Sequence, residues 1–366
     1  MPILVTRDFP PARGGVQRFV EGLALAFHEN GEPVCVVAPE QEGDHEFDRN
    51  LPYAVKRLPR GGRIGFAWRT YFAVADARRT IRDHRLIASL WQPSGYEALL
   101  ANAGNSARVT LIAHGSEITK QQHGLRRILA SAILRRCNVV AVSRFTKAAV
   151  EDLGAHAEVI PPGVAIVDYQ RARAAEPTIL SVGRLVRRKG FDRVIDALPE
   201  LQSRVPGVHL QIVGDGPDRA YLQELAHSNG VSDAVSFHTD ISDADLHDLY
   251  SRAWCFAMPN RTEDGYDAEG LGIVFLEAGL HRVPAIGGLF SGAEDAIIDG
   301  ETGLLVDGRV QREITEALNL LLTDSIYAER LGSAARLRVV ADFGWREIAR
   351  RFARLGISST PQLASR

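Results

Sequence analysis

The chain has 366 residues, 45% of them hydrophobic and 24% charged, with a formal net charge of −2 at pH 7. That length exceeds one ordinary hydrophobic core, so a soluble enzyme of two domains is expected. The first half carries a slight excess of cations and the second of acids. So mild an asymmetry argues against bulk nucleic-acid binding, and no apolar run approaches the ~20 residues that span a bilayer.

From the N-terminus, Ile3 to Thr6 reads as a buried parallel strand with no signal-peptide pattern before it, so a cytoplasmic location is expected. A loop, Asp8-Phe9-Pro10-Pro11-Ala12-Arg13-Gly14-Gly15, feeds a helix over Gln17 to Asn30, which Gly31 stops. Further strands are expected at Val34–Ala38, Ile87–Trp91, Val109–Ala113, Val139–Val142 and Glu158–Ile160. Pro161-Pro162-Gly163 and a polar stretch, Asp168 to Pro177, mark the domain linker. A second series follows at Thr178–Val182, His209–Val213, Val235–His238, Cys255–Met258, Val283–Ile286 and Gly303–Val306. The alternation predicts an α/β chain of two Rossmann-like, doubly wound parallel-sheet domains, residues 1–167 and 168–344, facing a central cleft. An amphipathic helix from Trp345 and a frayed tail from Ser359 to Arg366 would close the chain as residues 345–366. Cys35, Cys137 and Cys255 are far apart and sit in apolar runs, as small core residues in a reducing compartment would.

The most informative run is Asp267-Ala268-Glu269-Gly270-Leu271-Gly272-Ile273-Val274-Phe275-Leu276-Glu277-Ala278, where a loop leads into a buried helix from Ile273 to Leu280. Unpaired N–H groups at such a helix start suit an anionic or polyhydroxyl ligand. A sugar nucleotide fits, with Glu269 on sugar hydroxyls, Glu277 on the ribose and the diphosphate between them; two solvated glutamates beside a Gly-broken loop would read the same in isolation. Gly14 and Gly15 would let bare backbone approach a diphosphate, or form only a tight turn. In Gly183-Arg184-Leu185-Val186-Arg187-Arg188-Lys189-Gly190, Arg184 and Lys189 are expected on the diphosphate and Arg187 and Arg188 at the surface; a solvated basic loop is the alternative. Gly214-Asp215-Gly216 lacks the third glycine of a dinucleotide fingerprint, Arg219 standing in its place, so a backbone turn close to the ligand is favoured over NAD binding. Asp243-Ala244-Asp245 has metal-binding spacing, but behind Ser242 it reads better as a helix cap. His114 ends a strand, either near the sugar or as a structural histidine, and Ser143 starts a helix as a cap.

In this order and spacing, Asp8-Phe9-Pro10-Pro11 with Gly14-Gly15, Gly183-Arg184-Leu185 with Arg188-Lys189-Gly190, and Asp267 to Ala278 resemble the retaining GT-B glycosyltransferases of family 4. The wording looks like the bacterial phosphatidylinositol-mannoside mannosyltransferases, from Thr6 to about Trp345. The resemblance implies Gly15 at the diphosphate with Arg184 and Lys189, Glu277 on the ribose, and Glu269 on the sugar beside the amides of Gly270, Leu271 and Gly272. It also implies His114 near the sugar, backbone around Ile241 at the base, the terminal helix crossing back to the first domain, no cofactor or metal, and retention of configuration by a front-face mechanism. Losing one diphosphate cation would then cost ~3 kcal/mol of barrier, roughly a hundredfold in rate. One departure is Ser291-Gly292-Ala293-Glu294-Asp295, where relatives read Gly-Gly-x-Pro-Glu.

GDP-mannose is the favoured donor, with UDP-glucose and UDP-GlcNAc as alternatives, and a glycan or lipid-linked acceptor is expected. A non-catalytic sugar-nucleotide or glycan-binding protein is the reading from another class. Arg57, Arg60, Arg63, Arg69, Arg78, Arg79, Arg82 and Arg85 alternate with Phe66, Trp68, Tyr71 and Phe72. This stretch reads either as a seat on an anionic membrane at the cytoplasmic leaflet, or as a helix with core aromatics and solvated arginines.

Overall fold

The structure, a computed structural model, describes the chain except residues 13, 81–84, 105–107, 121–123, 263–266 and 356–366, and the side chains of residues 63, 64 and 78–80. The expectations for Arg13, Arg82, the tail from Ser359, and the side chains of Arg63, Arg78 and Arg79 therefore lie outside the described residues. Two compact units are present: Met1–Ala165 with the segment from Gly344, and Ile166–Phe343.

Unit 1 is built on seven strands: β1 (Pro2–Val5), β2 (Cys35–Pro39), β3 (Ala54–Leu58), β4 (Arg85–Ser89), β5 (Thr110–Ala113), β6 (Asn138–Ala141) and β7 (Ala157–Val159). They pair in parallel in the order β3-β2-β1-β4-β5-β6-β7. Side chains alternate across a strand, so each buried strand feeds two cores. Ile3, Val5, Leu86, Leu111 and Val139 face the core shared with the helices Arg63–Thr80, Tyr96–Ala101 and Gly124–Leu134. Leu4, Val36, Ile87, Ile112 and Val140 face the other core, with the helices Gly15–Glu29 and Trp345–Arg354. Trp345 stands edge-on to Phe19, with ring centroids 5.5 Å apart. A Cβ added at Gly22 or Gly163 would lie within 2.5 Å of its indole, so the terminal helix docks where two glycines make room.

β3 is an edge strand that its sequence, Ala-Val-Lys-Arg-Leu, does not announce. It also explains part of the basic stretch. Arg57 pairs with Asp48 at 2.8 Å and donates to the Pro10 and Pro39 carbonyls, and Arg85 pairs with Glu32 and donates to the Ala353 carbonyl. Arg60 and Arg69 bond the carbonyls of Glu40 and Pro59. The helix of solvated arginines over core aromatics is met in part: Arg57 and Arg85 serve the fold, Arg60 and Arg69 are exposed, and Phe66 is buried beneath Arg7 while Trp68 and Phe72 are exposed.

Unit 2 repeats the plan with β8 (Thr178–Val182), β9 (His209–Val213), β10 (Val235–His238), β11 (Cys255–Met258), β12 (Ala285–Gly288) and β13 (Gly303–Val306). All are parallel, in the order β10-β9-β8-β11-β12-β13. In both sheets the order reverses beside the first strand, at β1/β4 and at β8/β11. Such a switch point splays the loops at the strand carboxyl ends and is where open α/β sheets bind ligands. The polar stretch after Ile166 belongs to unit 2. Ala172 and Ala174 donate to the carbonyls of Ser251 and Arg252, and the Tyr169 ring stacks on His281 at 4.1 Å. The three cysteines are buried and free. Among the described residues no helix is long and apolar enough to cross a membrane.

Candidate active site

In unit 2 the switch point lies between the loops that leave β8 and β11. The β8 loop ends in one 3-10 turn, Arg187–Lys189, before the helix Phe191–Arg204. That turn carries two cations inward. Lys189 Nζ donates to Glu269 Oε2 at 2.6 Å, and Arg188 donates to the same oxygen at 2.7 Å. Arg188 also lies 3.4 Å from Asp267. The Glu269 side chain is 12% exposed. Burial pushes its carboxyl up, but Lys189 and then Arg188 outweigh that and hold it near 2, below the ordinary 4.5. Among the described residues Glu269 Oε1 receives no hydrogen bond, so this carboxylate is fixed by one oxygen and presents the other.

Here the expected ranking of the basic loop is corrected. Arg188 is half-buried and holds Glu269, whereas Arg184 is exposed. Arg187 is exposed as expected, lying over the Tyr221 ring and near Asp192 and Asp218. The reason is the turn itself, which points consecutive side chains in different directions.

Glu277 lies on the helix Ile273–Leu280, half-buried. Tyr250, fully buried on the helix Asp243–Arg252, donates to Glu277 Oε2 at 2.9 Å. Behind it the Tyr250 ring stacks on His281, whose nitrogens lie 3.0 Å from Ser251 Oγ and 3.1 Å from His247 Nδ1. Sequence reasoning missed Tyr250, because a tyrosine on the apolar stripe of a helix reads as core. The Ile273 helix begins at Gly272, in the left-handed region at φ 83°, with no side-chain cap. Its first N–H groups, next to Gly270 and Leu271, are left for a ligand or water. The Asp243 helix differs, since Ser242 and Asp245 form a capping box, and Asp-x-Asp is a cap as expected.

Gly183 and Gly214 stand at the carboxyl ends of β8 and β9. A Cβ on Gly214 would lie 2.1 Å from the Gly183 carbonyl oxygen, so the fold itself requires glycine there. Ile241, half-buried, sits in the loop after β10. Ser291, at the departure from the family wording, is buried and structural. It accepts from Asn260 Nδ2 at 2.8 Å and donates to the Gly288 carbonyl, while Asn260 Oδ1 accepts from the Gly288 N–H.

In unit 1, Gly14 and Gly15 begin the helix Gly15–Glu29, also without a side-chain cap, at the carboxyl end of β1. A Cβ on Gly15 would meet no atom within 4 Å, so the fold does not require glycine at that position. His114 follows β5. Its Nε2 is 3.1 Å from Ser89 Oγ, its ring is edge-on to Phe19, and burial pushes its pKa down to about 4, leaving a neutral imidazole at pH 7. Ser143 caps the next helix by accepting from the Thr146 N–H.

Residues 13–167 match the family model described as Glycosyltransferase Family 4, and residues 168–338 the one described as Glycosyl transferases group 1. The chain is 35% identical to the GDP-mannose-dependent alpha-(1-6)-phosphatidylinositol monomannoside mannosyltransferase of Mycolicibacterium smegmatis, over 96% of this chain and 97% of that protein. It is 30% identical, over 98% of each, to the GDP-mannose-dependent monoacylated alpha-(1-6)-phosphatidylinositol monomannoside mannosyltransferase of Corynebacterium glutamicum. The chain belongs to the family 4 glycosyltransferases. The glycosyltransferase shares the GT-B fold with sucrose-phosphate synthase from Thermosynechococcus elongatus, at TM-score 0.79 and 23% identity, covering 97% of this chain and 98% of that one. Anabaena Alr3699/HepE in complex with UDP and glucose is similar at TM-score 0.81 and 18% identity, covering 98% and 100%.

Proposed function

We propose that this glycosyltransferase moves mannose from GDP-mannose to a hydroxyl of a lipid-linked glycan acceptor, with retention at the anomeric carbon and without a metal. The observation that carries the donor is the identity along nearly the full chain to enzymes named as GDP-mannose-dependent. The site supports the chemistry. Lys189 has three donors and Glu269 takes one of them, leaving two for a diphosphate, which the exposed Arg184 joins. Glu269 Oε1 meets sugar hydroxyls, Glu277 steadied by Tyr250 meets the ribose, and the uncapped N–H groups after Gly272 face the donor. Gly14 and Gly15 bring bare backbone to the diphosphate, which gives Gly15 a reason for being glycine that its own surroundings do not supply. His114, neutral at pH 7, serves the sugar as a hydrogen-bonding group. Ile241 backbone meets the base, and Gly183 and Gly214 keep the loops under it tight. With fixed cations on the leaving diphosphate, catalysis is positioning and electrostatics, the phosphate itself taking the acceptor proton.

A thermal-shift series with GDP-mannose, UDP-glucose and UDP-GlcNAc tests the donor, followed by donor hydrolysis and transfer in EDTA. Stabilisation by GDP-mannose and EDTA-resistant turnover are expected; response to UDP-sugars alone overturns the donor, and activity restored only by manganese overturns the metal-free reading. Lys189→Ala and Glu277→Ala should abolish transfer in folded protein.

The acceptor's lipid would place the enzyme on the cytoplasmic face of the membrane as a peripheral protein. Trp68 and Phe72, exposed within the Arg57–Arg85 stretch, support that seating.

A further inference from the structure

Glu277, the carboxylate proposed for the ribose, is steadied by Tyr250, and what steadies Tyr250 lies outside any motif. The Tyr250 ring stacks on the His281 imidazole, with centroids 5.3 Å apart and planes 15° from parallel. His281 is 1% exposed. The same imidazole stacks at 4.1 Å on Tyr169, whose ring also lies 4.3 Å from that of His247. Tyr169 belongs to the segment by which the chain enters unit 2, a stretch whose polar sequence reads as linker. Four rings thus run from that entering segment to the hydroxyl that holds Glu277.

Hydrogen bonds tie these rings along their edges. Ser251 Oγ lies 3.0 Å from His281 Nδ1, His281 Nε2 lies 3.1 Å from His247 Nδ1, and His247 Nε2 lies 2.9 Å from the Tyr169 hydroxyl. A neutral imidazole has one N–H and one acceptor nitrogen. With both imidazoles neutral, all three bonds therefore point the same way along the row, and each fixes the next. The entering segment is anchored separately. Arg336 donates to the Val167 carbonyl at 2.7 Å and to Asp168 at 3.1 Å, and Arg282 donates to the Tyr169 carbonyl at 3.0 Å. A segment that needed only anchoring has it in those arginines. The Tyr169 ring is committed instead to the imidazoles that lead to Tyr250.

We infer that Tyr169, acting through His247, His281 and Tyr250, is a positioning residue for Glu277 and so sets how firmly the donor's ribose is held. That role rests on the ribose reading of Glu277 given above and extends the site to the segment entering unit 2. Aromatic pairs contribute beyond the area they bury, and a carboxylate already held in place loses less freedom when its ligand binds. Without the Tyr169 ring, Tyr250 keeps its hydroxyl but loses the support that holds His281 against it, and the contacts of Glu277 with the ribose weaken.

The test is calorimetric titration of the full chain with GDP and with dideoxy-GDP, which lacks both ribose hydroxyls. The matching uridine pair is run alongside, so that the outcome does not depend on the base. Wild type should bind the ribonucleotide about tenfold or more tightly than its dideoxy analogue, as loss of a hydrogen bond to a charged acceptor requires. In Tyr169→Leu, affinity for the ribonucleotide should fall about five- to tenfold while that for the dideoxynucleotide stays within about twofold, a split that general loosening of the fold does not produce. Tyr169→Phe keeps the ring and should stay within about threefold of wild type for both nucleotides. A Tyr169→Leu variant that retains the wild-type discrimination, or that loses both nucleotides equally, overturns the positioning role and leaves the ribose reading standing. A loss in Tyr169→Phe as large as that in Tyr169→Leu overturns the stacking path. Wild type that fails to discriminate within either pair removes the ribose reading and the inference with it.

Discussion

Glu269→Gln isolates the charge balance at the centre of the site. The amide matches the protonated carboxyl in shape, so the substitution removes one negative charge and little volume. A carboxyl held at about 2 against an ordinary 4.5 contributes about 3 kcal/mol to the folded state at neutral pH. The sign is set by the depressed folded-state pKa: the contribution is complete above 4.5 and is lost as the pH falls towards 2. The gap in unfolding free energy between wild type and Glu269→Gln should therefore be about 3 kcal/mol at pH 7 and about 2 kcal/mol at pH 3.5, closing further below that.

Urea denaturation across that range measures the gap. His281 supplies the internal control, because burial, then His247, Arg336 and Arg171, hold its pKa at about 3. A histidine with a depressed pKa also loses its contribution on acidification, but its window opens at 6.5, above that of Glu269. Both proteins share that loss, so it cancels in the difference. A gap below ~1 kcal/mol at pH 7, or one that stays flat down to pH 3.5, would refute the claim that Lys189 and Arg188 hold Glu269 as a carboxylate.

Tyr250→Phe removes only the hydroxyl that steadies Glu277; a hydrogen bond to a charged acceptor is worth about 1.5–3 kcal/mol, so steady-state kinetics should show the donor KM raised roughly tenfold or more with a smaller change in kcat. Gly214→Ala places a Cβ 2.1 Å from the Gly183 carbonyl at a φ of 138°, and thermal melting should show several kcal/mol lost, about 3 or more. Gly15→Ala is the converse, with open space around the new methyl. The melting temperature should hold within about 2 °C while transfer falls by tenfold or more, and unchanged transfer would remove Gly15 from the diphosphate.

The sheets were legible because a buried parallel strand is apolar on both faces, and runs such as Ile3-Leu4-Val5 and Thr178-Ile179-Leu180-Ser181-Val182 show that directly. β3 was not, since an edge strand with Lys56 and Arg57 at its middle has lost the pattern that marks its neighbours. Helix starts at Ser143 and Ser242 were legible from local chemistry, a hydroxyl followed three residues later by a group to bond. Arg188 and Tyr250 were not, because what assigns them is a contact across 81 or 27 residues that no local spacing encodes. Gly214 shows a third case: the sequence marks a tight turn, but only the fold reveals that the tightness is against the chain's own Gly183.

Why acid and base should meet here follows from topology. β8 and β11 are neighbours in the sheet although the chain visits β9 and β10 between them, so the loops leaving their carboxyl ends are brought side by side from 80 residues apart. One loop supplies Arg188 and Lys189 and the other Asp267 and Glu269. Two cations carried inward on one turn repel each other. Glu269 offsets them at Oε2, and because both cations choose the same oxygen, Oε1 keeps its accepting capacity. On the proposed reading, a sugar hydroxyl at Oε1 would leave the Lys189 and Arg188 contacts intact, so donor binding would need no rearrangement of the acid.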